Sequence, residues 1–148
     1  MMSWRSLATA RRDDERGAVA SMIAVLGFAI FVSLALVVDG GRQLGALTEA
    51  RDIADNAARF GSQAVDADAW RETGRPIVDG ADAEARVQDY MNRFVLANAS
   101  ARVVPSTGPD ADTMVTVEVT LIRTSFFFPA DPVVATQSAT ALDGVVGP

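Results

Sequence analysis

Residues 17–38 read GAVASMIAVLGFAIFVSLALVV. The stretch holds 22 residues without a charge, and its only polar side chains are Ser21 and Ser33. As an α-helix rising about 1.5 Å per residue it is roughly 33 Å long, and the hydrocarbon core of a bilayer is about 30 Å thick. A run this apolar is hydrophobic on every face and must be surrounded by apolar matter. The rest of a 148-residue chain is too small to wrap it as a buried core helix. Membrane insertion is the expectation.

A cleaved secretory signal is the competing explanation. Its apolar region is usually about 7–15 residues and ends at a small-x-small site. Here the run is longer, and it exits as Leu36-Val37-Val38-Asp39. The pair Arg11-Arg12 is followed by Asp13-Asp14-Glu15, which does not suit a twin-arginine signal. Arginine sets the orientation. Arg5, Arg11, Arg12 and Arg16 precede the span, and only Arg42 and Arg51 follow it closely. By the positive-inside rule the N-terminus is cytoplasmic and residues 39–148 lie outside.

Working outward on the N-terminal side, residues 1–16 are a short tail in which Arg11, Arg12 and Arg16 balance Asp13, Asp14 and Glu15. Trp4 suits the inner membrane surface. Within the span, Ala20 and Ala24, and Ala29 and Ser33, stand four apart, a spacing that lets helices approach in lipid. On the other side, Asp39-Gly40-Gly41-Arg42 marks the exit from the apolar phase, with the glycines as a hinge or a close packing point. Residues 44–65 continue as a helix whose apolar stripe is Ala46, Ala50, Ile53, Ala57, Phe60 and Ala64, widened by Leu47, Ala54 and Ala58. Glu49, Asp52, Asn56, Arg59 and Gln63 take the opposite face. The small stripe calls for a flat, close partner, either a sheet of the same chain or neighbouring copies.

Residues 66–81 have no clear period and carry Gly74, Pro76 and Gly80, so they read as a loop with a short strand at 76–78. Asp82 is a candidate N-cap for a helix reaching about Ala99, with Val87, Tyr90, Met91, Phe94 and Val95 on one face. Three strands follow. Residues 102–104 form a short one before the turn Ser106–Asp110. Residues 114–123 alternate Val115, Val117, Val119 and Leu121 with Thr116, Glu118 and Thr120. Residues 133–142 make the last. Joined by short connections, one of them the apolar Phe126-Phe127-Phe128-Pro129, they form an antiparallel meander with one face on the helix.

Residues 39–148 hold 16 acids against 9 arginines, near −7, which does not suit a nucleic-acid partner. The chain has no cysteine, histidine or lysine. Disulfides, thiol chemistry, Schiff bases and the commonest general base and metal ligand are excluded. The carboxylate groups Asp66/Asp68 and Asp79/Asp82/Glu84 lack the order and length of a calcium loop and read as solvated caps. Gly40-Gly41 follows a helix, not a strand, and is no phosphate loop. No catalytic residue, cofactor or metal is assigned.

The order of features is informative as a set. Arg16-Gly17-Ala18-Val19-Ala20, the long span, Val38-Asp39-Gly40-Gly41-Arg42 and the alanine-rich 54–64 helix resemble the TadE/TadG-like proteins of tight-adherence (Flp) pilus assembly. The resemblance covers residues 16–65, and the ending Ser138-Ala139-Thr140-Ala141 is compatible with it. It implies a single-pass, pilin-like envelope protein, with Asp39, Gly41 and Arg42 as the family-like motif. It also implies prepilin-peptidase cleavage at Gly17-Ala18 and pilin-like or Tad assembly partners along the N-terminal helix. The glutamate that related pilins carry five residues into the mature chain is replaced here by Met22. That departure points to a TadG-like, membrane-held component.

The expected fold is therefore α+β: a transmembrane helix continuing into a long amphipathic helix, then a second helix and a small antiparallel sheet. The expected division is a tail 1–16, a span 17–38, an extracytoplasmic helix 39–66 and a small domain 67–148. The expected role is structural, in pilus assembly. The alternative is a membrane-anchored extracytoplasmic binding module of the cell envelope.

Overall fold

The computed structural model describes the backbone of residues 4–95, 98–123, 127, 129 and 131–141, with side chains from residue 17 onward. The order is α1 (Trp4–Gly61), α2 (Ala67–Thr73), α3 (Gly80–Phe94), β1 (Ala99–Val104), a 3-10 turn (Ala111–Thr113), β2 (Met114–Leu121) and β3 (Val133–Thr140). The architecture is α+β, with a long N-terminal apolar helix, two further helices and a three-stranded antiparallel sheet ordered β1-β2-β3. The chain divides into two compact units, Met1–Gly41 and Arg42–Pro148, and α1 contributes to both.

The Arg42–Pro148 unit is built on β2. Its inward residues Val115, Val117, Val119 and Leu121 are fully enclosed, and its outward residues are half-exposed. Branched side chains suit such a pleated, one-sided surface. β1 and β3 flank it in register, with Val103 opposite Val117 and Ala135 opposite Val119. The alanine face of α1 closes the core: Ala46, Ala50, Ala54, Ala57 and Ala58 are each 0 or 1% exposed. The flat partner that the stripe calls for is thus the sheet of the same chain. α3 adds Ala83 and Val87 to the same cluster.

α1 stops at Gly61 rather than running to Val65. At that point α1, α3 and β2 meet. A Cβ on Gly61 would stand 3.1 Å from Val115 Cγ1, 3.1 Å from Val87 Cγ2 and 3.6 Å from the Ala83 carbonyl oxygen. Beyond it the backbone turns to pair with another segment: Val65 bridges Val78, and Asp79 donates its N–H to the Ala64 carbonyl at 2.8 Å. Ala64, expected on the helical stripe, is buried in this turn instead.

The expected loop 66–81 contains α2. Asp66 caps it by accepting from the N–H groups of Asp68 and Ala69, and Gly74 ends it at φ 70°, a left-handed conformation that glycine adopts without strain. α3 starts at Gly80, not after Asp82, because Asp79 is the cap, accepting from Ala81 and Asp82. It ends at Phe94 and not near Ala99, because pairing with β2 takes the chain from Ala99 on.

Gly61→Val adds branched carbons where a Cβ alone is already tight. We expect it to destabilise the Arg42–Pro148 unit by about 1–3 kcal/mol, read as a lower denaturation midpoint by circular dichroism of the full chain in mild detergent. Gly45→Ala, with nothing within 4 Å of the added methyl, should leave the midpoint unchanged or raise it.

Candidate functional site

The span is the first candidate. It contains one helix long and apolar enough to cross a membrane, and only 6% of its most apolar window is buried within the chain. Met22, Phe28 and Val37 are about 70% exposed, an arrangement that water penalises and lipid does not. Its two hydroxyls are satisfied locally: Ser21 Oγ donates to the Ala18 carbonyl at 2.9 Å and Ser33 Oγ to the Ala29 carbonyl at 2.8 Å. Neither needs water. Gly17 and Ala18 are exposed residues of α1.

Asp39, Gly41 and Arg42 are also helical, with Asp39 half-buried and the other two exposed. Gly40 and Gly41 have nothing within 4 Å of a built Cβ, so no neighbour among the described residues requires glycine there. Of the stripe, Ala46, Ala50, Ala57 and Ala64 are buried in the core cluster, and Ile53 packs against it. Phe60 turns to the side and stacks on Tyr90 at a ring separation of 5.8 Å, with Phe94 beyond at 5.5 Å. The Trp4 side chain, Phe126 and Phe128 lie outside the described residues. Phe127 is half-exposed.

The carboxylates are engaged in structure. Asp66 and Asp79 cap helices, Asp68 pairs with Arg71, and Asp82 pairs with Arg86 at 2.8 Å. Glu84 does more. Its Oε2 accepts from the Val103 N–H at 2.9 Å and its Oε1 from Gln88 Nε2 at 3.0 Å, while Gln88 Nε2 also reaches the Ala101 carbonyl at 2.9 Å. α3 thereby covers the outer edge of β1, whose backbone groups would otherwise invite another strand. No group of three or more metal-ligating side chains is placed to hold an ion among the described residues. Beside Glu84 runs a groove of about 380 Å³, lined by residues including Val78, Ala83, Val103, Pro105 and Met114.

The edge role of Glu84 was not visible in the sequence, since nothing local links it to Val103. A second feature also escaped: Phe94, on the expected buried face of α3, is 67% exposed because the core ends before it.

Glu84→Ala leaves the Val103 N–H without its acceptor. We expect a loss of about 1 kcal/mol and faster amide exchange at Val103 by NMR. Glu84→Gln, which retains an acceptor oxygen, should keep most of both.

Compared with known proteins, the chain matches no family model, no curated protein and no solved structure.

Proposed function

We propose that this chain is a TadE/TadG-like structural component of a tight-adherence pilus or a related secretion-like assembly. It is held in the cell membrane by residues 17–38, with its tail in the cytoplasm and its α+β unit outside. The observation that carries the reading is the charge-free helix whose apolar side chains are left uncovered by the rest of the chain. The sequence order around it, from Arg16-Gly17 to Arg42 and the alanine-rich helix, supplies the family.

The packing adds a constraint on how such a component would assemble. The alanine stripe of 46–58 is already covered by the chain's own sheet. Helix-to-helix contacts with pilin-like or Tad partners therefore fall to the span, where Ala20, Ala24 and Gly27 leave room for a neighbouring backbone. Met22 in place of the pilin glutamate favours a component that stays in the membrane over a filament subunit. The role is not enzymatic. The clustered acids are tied to backbone caps and arginines, and neither histidine, cysteine nor lysine is present to act as base or nucleophile.

The second reading, a membrane-anchored binding module, is favoured by the groove beside Glu84. It requires that the outer unit hold a defined cell-wall or protein ligand as a monomer.

Intact mass spectrometry of the protein from native membranes and from sheared surface material separates these roles. We expect the full-length chain in membranes only. A chain beginning at Ala18 in the sheared fraction would make it a processed subunit despite Met22. Unchanged pili and secretion after gene deletion would overturn the pilus reading altogether.

A further inference from the structure

Outside the span, the exposed large apolar side chains among the described residues are five: Leu44 at 68%, Phe94 at 67%, Ile122 at 64%, Phe127 at 52% and Val134 at 51%. Single exposed apolar residues are ordinary on any surface. Leu44, Phe94, Ile122 and Val134 are at one end of the Arg42–Pro148 unit. Leu121 pairs with both Ala99 and Val133, which fixes β1's start, β2's end and β3's start together. The Ile122 N–H donates to the Asn98 carbonyl at 2.8 Å, and Phe94 ends the helix that leads into Asn98. Arg123 pairs with Glu49, one turn beyond Leu44 on α1. The opposite end, where Val78 meets Asp112 and Asp79 meets Ala64, carries acidic turns and no exposed large apolar side chain among the described residues.

The apolar end is also the tethered one. Leu44 follows Val38, the last residue of the span, by six positions, which is at most about 21 Å even for a fully extended chain. It cannot leave the neighbourhood of the membrane surface. We infer that the rim formed by Leu44, Phe94, Ile122 and Val134 is a bilayer-seating surface, inserted at the interface of an anionic phospholipid membrane. The inference rests on the membrane-anchor reading of residues 17–38.

The chemistry suits that zone. Aromatic and aliphatic tips reach the acyl boundary, and arginines at the same level meet the phosphates. Arg93 and Arg123 each stand next in sequence to a rim residue, Phe94 and Ile122. Their carboxylate partners, Asp89 and Glu49, orient them. The acidic turns around Asp66, Asp79 and Asp112 lie at the far end, while at the rim end Asp89 and Glu49 are paired with arginines and Asp131 is exposed. Because the tether ends at Leu44, each exposed apolar side chain that reaches the bilayer adds to seating without a new association step.

Because the chain has no cysteine, single labels test this directly in the full-length protein. Phe94→Cys, Ile122→Cys and Asn98→Cys, the last leaving every rim side chain in place, are labelled with an environment-sensitive fluorophore. The protein is reconstituted in phosphatidylethanolamine–phosphatidylglycerol vesicles with and without doxyl-labelled lipid. Val25→Cys reports the span and Thr107→Cys the far end. The expected result is a blue shift and strong lipid quenching at 94, 98, 122 and 25, and neither at 107. Quenching at 25 with residues 94, 98 and 122 behaving like 107 would overturn the seating while leaving the anchor intact. No quenching at 25 would overturn the anchor and, with it, the inference. A blue shift at the rim that lipid does not quench, and that dilution with unlabelled chain relieves, would assign the surface to a second copy and overturn it too.

Discussion

An alanine side chain is one methyl group, and five of them on one face of α1 let that helix lie close against the sheet. Everything else in the Arg42–Pro148 unit follows from that approach. Ala46, Ala50, Ala54, Ala57 and Ala58 contribute little bulk, so the filling comes from Val115, Val117, Val119 and Leu121 on β2. Packing at native density requires small to meet large in this way. The same closeness reaches its limit at Gly61, where even a methyl would crowd Val115 and Val87. That crossing fixes where α3 lies, and α3 in turn covers the edge of β1 through Glu84 and Gln88.

This contact also divides the surfaces of the chain by what they have left to offer. The face of α1 within 42–61 is satisfied by its own sheet, and the edge of β1 by its own helix. Among the described residues, most side chains of the span are left exposed. α1 therefore carries two solvation problems in one element: apolar on all sides over 17–38, and apolar on one side over 44–61. A bilayer would solve the first, since internally bonded backbone is obligatory there and a helix provides it. The second is solved by a sheet in water. A single amphipathic pattern does not describe the whole of α1, because its apolar surface runs all round over 17–38 and along one side over 44–61.

Much of this was legible in the sequence where one period dominates. The span shows as a charge-free run. β2 shows as strict alternation from Met114 to Leu121, and the alanine face as steps of three and four. The meander and its order follow from three short strands with short connections. What escaped was settled by contacts between distant residues or by elements too short to show a period. α2 has seven residues, and its signals are a cap at each end, Asp66 and Gly74, instead of a stripe. The end of α1 is set by Val65 meeting Val78, and the end of α3 by Ala99 meeting Leu121. Asp79 rather than Asp82 caps α3 because Gly80, which reads as loop, is tolerated in a helix's first turn, where the backbone N–H groups are unbonded in any case. The candidate site was legible in the same uneven way. Its membrane part is a one-dimensional property of composition, whereas Phe94, Ile122 and Val134 become one surface only after β-pairing brings their elements to a common end.

The proposed structural role rests on where the chain's polar and apolar groups are engaged. Catalysis needs polar groups held ready and not already engaged, aimed at charge that develops in a transition state. Here Asp66 and Asp79 are occupied by helix N–H groups, Asp68 and Asp82 by arginines, and Glu84 by a strand edge. Among the described residues the exposed large apolar side chains lie on the span and on the Arg42–Pro148 unit, where only Leu44 is within six residues of the span's end. Both gain by leaving water, which is what the proposed anchor and seating surface would supply.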